Sequence, residues 1–80
     1  MFEILCYSKY LCDEDWGVDE VLDTADTIED AREKLKEQYD FYVQTGNYDV
    51  EEIYDDEFFC DDYEKDMPDR KIAISKKDVL

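Results

Sequence analysis

The chain has no histidine, one proline, two glycines and only nine basic residues among its 80, and each scarcity removes a class of function. Without histidine, neither a Ser-His nor a Cys-His nucleophile pair can be assembled. Carboxylates are plentiful, but a carboxylate pair works as acid and base only when its surroundings drive the two pKa values apart, and abundance is no sign of that. The protein is therefore expected not to be an enzyme. Gly17 and Gly46 stand alone, so there is neither a P-loop nor a dinucleotide-binding turn. Residues 13–24, DEDWGVDEVLDT, resemble a calcium loop only until Gly17 falls one place early and Thr24 replaces the bidentate glutamate. No apolar run approaches the ~18 residues of a membrane span. A secretory leader with a basic and then an apolar region is also missing, and a cytoplasmic location is expected.

What the chain has instead is acid. Twenty-five Asp and Glu against nine Lys and Arg give a net charge of -16. Such a charge repels a phosphate backbone or an anionic membrane and points to a cationic protein surface as the partner. A disordered acidic tail would be poor in aromatics, whereas this sequence is 15% aromatic and 44% hydrophobic. It is expected to fold as one domain, residues 1–80, as a monomer or small oligomer. A chain this short buries only about 60% of its unfolded surface.

The acid is not spread evenly. Residues 13–30 hold nine acids and no base, and residues 49–66 hold ten acids and one lysine, Lys65. Each block carries -9, and the rest of the chain is +2.

Periodicity outlines an α+β fold. FEILCYSKY (2–10) alternates as a half-buried strand does. DEVLDTA (19–25) reads as a second strand or an extended connection. Thr27 with Asp30 three residues on is a helix start, and Ile28, Ala31, Leu35, Tyr39 and Tyr42 form one stripe, so a helix is expected over 28–44, ended by Gly46. YDVEEIYDD (48–56) reads as a strand with Val50 and Tyr54 inward, MPD (67–69) as a turn, and RKIAISK (70–76) as a strand. The sum is a small antiparallel sheet of three or four strands with one main helix packed on a face.

Three cysteines, Cys6, Cys12 and Cys60, are an odd set, which in a reducing compartment means free thiols or metal ligands. Cys12 precedes Asp13 and Cys60 precedes Asp61. If these corners meet, zinc held by Cys12, Cys60 and the carboxylates of Asp13 and Asp61, with Cys6 as a third sulfur, would clip the domain shut. The other reading makes Cys6 a small core residue and Cys12 and Cys60 ordinary thiols.

The stretch DDEFFCDDYEKD (55–66) sets apolar residues among carboxylates. Asp55, Asp56, Glu57, Asp61, Asp62 and Glu64 surround Phe58, Phe59 and Tyr63, and Phe58 and Phe59 cannot both face inward from one strand. Trp16, beside Asp13, Glu14 and Asp15, repeats the pairing in the other block. Carboxylates at i and i+2 of a strand are about 6.8 Å apart, on the scale of successive phosphates. Aromatics between them supply the buried contact an interface needs. These thirteen residues are the expected partner-binding set. The two acidic blocks otherwise read as solvated faces that keep the protein soluble, and Trp16 as a cap on the core.

With about 80 residues, a charge of -16, one helix on a small sheet and YDVEEIYDDEFFCDDYEKD, the chain resembles the small acidic phage and mobile-element proteins that disarm host nucleases. These are anti-CRISPR inhibitors of Cas9-type effectors and anti-restriction DNA mimics. The resemblance covers the whole chain in composition and arrangement and carries no shared motif. It implies a stoichiometric inhibitor in the host-cell cytoplasm that binds a basic, nucleic-acid-handling surface and prevents guide or target DNA from loading. The alternative is a small zinc-binding regulatory or structural module whose acids serve mainly for solubility.

Overall fold

The computed structural model describes residues 1–9, 14–62 and 68–77. Five strands and one helix follow each other as β1 (Phe2–Lys9), β2 (Gly17–Ala25), α1 (Ile28–Thr45), β3 (Tyr48–Val50), β4 (Glu57–Asp62) and β5 (Asp69–Lys76). The strands form one antiparallel sheet in the order β2-β1-β5-β4-β3. The α+β class is as expected, but the sheet has five strands where three or four were expected.

The difference lies between Tyr48 and Asp62. The strand expected over 48–56 stops at Val50. Asp55 and Asp56 both take left-handed backbone, φ 54° and 60°, as a two-residue hairpin turn requires. Tyr54 and Glu57 close this turn with reciprocal backbone hydrogen bonds of 2.9 and 3.2 Å. The chain therefore reverses, and Glu57–Asp62 becomes a strand of its own. Tyr54, expected inward, is 83% exposed beside the turn.

The helix forms through its caps and its apolar stripe. Thr27, in extended backbone, accepts a hydrogen bond from the Asp30 amide at 3.2 Å and caps the first turn. Gly46, at φ 70°, ends the last one. Ala31 and Leu35 are buried, and Ile28, Tyr39 and Tyr42 pack beside them. The helix crosses one face of the sheet, and Ile4, Cys6, Phe58, Cys60 and Ile72 rise to meet it, none of them accessible to solvent. Phe58 anchors this layer, with the rings of Tyr39 at 5.5 Å and Tyr42 at 6.1 Å set against it edge-on. Burying a side chain of this size contributes about 1.5–3 kcal/mol.

β2 pairs with β1 through two register shifts, which leave Leu22 and Asp19 as extra residues. Each bulge turns its residue toward the helix side. Leu22 packs against the core, and the Asp19 carboxylate reaches the guanidinium of Arg70 at 3.6 Å. The segment 19–25, read as a strand or a connection, is thus a strand beginning at Gly17. Among the described residues no helix is long and apolar enough to cross a membrane.

Candidate functional site

The helix covers one face of the sheet only, and strand alternation sends a second set of side chains to the uncovered face. On β1 these are Leu5, Tyr7 and Lys9, on β5 Asp69, Lys71 and Ala73, and on β4 Glu57, Phe59 and Asp61. The register aligns them, since Lys71 stands opposite both Tyr7 and Phe59, Lys9 opposite Asp69, and Asp49 opposite Asp61. Phe58 and Phe59 thereby part. Phe58 is 0% exposed and belongs to the core, so its place in the expected contact set passes to Phe59.

Trp16 joins this face from the other acidic block. It precedes β2, at the sheet edge, and its ring lies against that of Phe59 on β4 at 5.8 Å between centroids, tilted 50°. The Lys71 ammonium sits 4.4 Å from the Tyr7 ring and 5.6 Å from the Trp16 ring, and the Lys9 ammonium 5.8 Å from Trp16. All five side chains are partly buried. Glu14 and Asp15, next to Trp16, are exposed, and Glu57 and Asp61 are partly so. Trp16 is thus no cap on the helix-side core, and two acidic blocks far apart in sequence are brought to one aromatic cluster.

The remaining acids of the second block sit at the hairpin tip. Asp55 is exposed. Asp56 accepts from Arg32 Nε at 3.0 Å and from a second guanidinium nitrogen at 3.4 Å. The contact is solvent-exposed and screened by water, and it joins the turn to the helix. Asp62 ends β4 opposite Tyr48. Asp13, Tyr63 and Glu64 lie outside the described residues, as does Cys12. The acids are not confined to one side, because Asp19, Glu20 and Asp23 line β2 while Glu29, Asp30, Glu33 and Glu37 are carried by the exposed side of the helix.

The thiols lie on the helix side. Cys6 and Cys60 flank β5, facing Ile72 and Arg70 respectively. The guanidinium of Arg70 donates to Cys6 Sγ at 3.5 Å. Burial raises the pKa of both thiols, that of Cys60 to about 12, and burial likewise raises Tyr42 to about 12. Burial holds both thiols in the protonated form, while the neighbouring Arg70 guanidinium opposes that shift at Cys6 and at Cys60. Among the described residues no group of three His, Cys, Asp or Glu side chains gathers to hold a metal. Asp61 projects to the opposite face from Cys60, and the Cys12–Asp13 corner that the zinc expectation needs is outside the described residues.

Sequence reasoning did not single out Tyr7 and Lys71. Their signal was the alternation of β1 and β5, which put both on the faces opposite Ile4, Cys6 and Ile72. Comparison with known protein families, curated proteins and solved structures finds no match.

Proposed function

We propose that this protein is an acidic inhibitor that binds a basic, nucleic-acid-handling surface of a host defence nuclease in the host-cell cytoplasm, in the manner of anti-CRISPR proteins, and so blocks guide or target DNA loading. The observation that carries this reading is the contact between Trp16 and Phe59. It puts an aromatic anchor on the sheet face that the helix leaves open and places carboxylates from both acidic blocks around it. Interfaces draw their affinity from such partly buried aromatics, while the surrounding charge steers association and selects partners of opposite sign. A net charge of -16 gives that steering a long reach at low salt.

The test is a DNA-cleavage assay with a Cas9-type nuclease, its guide and its target. The protein is expected to inhibit when added before guide or target, and less as salt rises. The variant Glu14→Gln, Asp15→Asn, Glu57→Gln, Asp61→Asn, which neutralises the carboxylates around Trp16 and Phe59 from both acidic blocks, is expected to lose at least tenfold in inhibition while its circular dichroism stays that of the parent. A folded variant that inhibits as well as the parent would overturn the reading.

A further inference from the structure

Three ammonium–ring pairs converge on the uncovered face, all of them built from Lys9, Lys71, Tyr7 and Trp16. A chain of this length carries about one energetically significant pair. The lysines are on this face despite 25 acids that would pair with them, and among the described residues neither makes an ion pair. Tyr7 and Phe59 flank Lys71 from the neighbouring strands, and the Trp16 ring lies 5.8 Å from that of Phe59. Two rings, those of Tyr7 and Trp16, hold the Lys71 ammonium, and Phe59 backs the Trp16 ring from the next strand, the kind of aromatic arrangement that recognises cationic groups.

We propose that Tyr7, Trp16 and Phe59 form a receptor for an arginine side chain of the partner, and that Lys71 is the occupant it displaces. This rests on the reading of the partner as a basic protein surface. The site is complementary to a cation in two ways. The ring faces attract it, and Asp61 and Glu57, two residues either side of Phe59 on the same face of β4, stand at the rim, with Asp69 two residues before Lys71 on β5 and opposite Lys9. Arginine suits the site better than lysine. Its guanidinium is planar, stacks on rings, sheds water more readily and offers a fork of donors to a carboxylate. Lys71 is held firmly only on the Tyr7 side, at 4.4 Å, and loosely on the Trp16 side, at 5.6 Å. Its flexible stem can swing out and leave the rings to the incoming group.

Trp16 is the sole tryptophan, so its fluorescence reports on the receptor. The probes are a Gly-Arg-Gly-Arg-Gly-Arg peptide and its lysine counterpart, titrated into the full chain at matched salt. The arginine peptide is expected to change Trp16 emission and to bind about threefold more tightly than the lysine peptide, the scale of one ammonium–ring or guanidinium–ring contact. Lys71→Met is expected to tighten arginine-peptide binding beyond Lys36→Met, which removes the same charge from the exposed helix face. Phe59→Leu is expected to weaken it about threefold. Equal affinities for the two peptides, or equal effects of Lys71→Met and Lys36→Met, would overturn the proposal, as would unchanged Trp16 emission on binding. The two readings fail separately. Peptide binding at the receptor without nuclease inhibition removes the inhibitor reading alone, whereas inhibition undiminished in Phe59→Leu removes the receptor alone.

Discussion

Phe58 and Phe59 are neighbours in the chain and stand on opposite faces of the sheet, Phe58 beneath the helix against Tyr39 and Phe59 on the open side against Trp16. One serves the fold and the other the surface.

Their alanine variants should therefore differ in kind. Phe58→Ala empties a fully buried site and should cost about 3–5 kcal/mol, a large part of the stability of a chain this small. Phe59→Ala loses one partly exposed ring contact and should cost roughly 1 kcal/mol. Urea unfolding followed by circular dichroism measures both, and equal losses would contradict the assignment of faces.

High pH should unfold the protein through its core. The folded-state pKa of Cys60 is raised to about 12 from 9.0, and that of Tyr42 to about 12 from 10.0, burial being the first cause of each. A raised folded-state pKa means that the native state holds its proton where the unfolded state has lost it. That stability is fully present below pH 9, and it drains away between pH 9 and 12 by up to about 1.4 kcal/mol per pH unit per group. Tyr42→Phe should flatten the fall above pH 10, and Cys60→Ala should flatten it from pH 9. Thermal melts in steps across this range give the slopes, and identical slopes in parent and variants would refute the claim.

Added salt should stabilise the native state, since the dominant electrostatic effect in a chain of net charge -16 is self-repulsion. Raising ionic strength from about 0.01 to 0.1 M shortens the screening length from about 30 to about 10 Å. Relief of about 1 kcal/mol would raise Tm by roughly 4–8 °C in a domain of this size. A fall in Tm would mean that favourable ion pairs, such as Arg32–Asp56, outweigh the repulsion.

Two left-handed positions should respond in opposite directions. At Gly46, where φ is 70°, a methyl group would find nothing within 4 Å of its carbon. Gly46→Ala therefore meets only the backbone penalty, about 1 kcal/mol. Asp55, at φ 54°, already bears that penalty, and Asp55→Gly should recover about 0.5–1 kcal/mol. Chemical denaturation of the two single variants decides the point, and a stabilising Gly46→Ala would refute it.

The elements whose signals are local could be read from the residues alone. Thr27, the Ile28–Tyr42 stripe and Gly46 specify the helix within a residue of its observed end, because caps and 3.6-residue periodicity act within a few turns. β1 and β5 follow from alternation for the same reason. In β4 the alternation of Phe58 and Cys60 was hidden by Phe59 and the surrounding acids, and two consecutive aspartates, unlike Asn-Gly, give a weak hairpin signal. Which face the helix covers, and which residues meet across the sheet, emerged only from the assembled fold. Pairing of β4 and β1 with β5 sets Phe59, Lys71 and Tyr7 in one row, and Trp16 completes it from the far edge. Such contacts join residues distant in the chain, and strand order, which local preferences do not encode, fixes them.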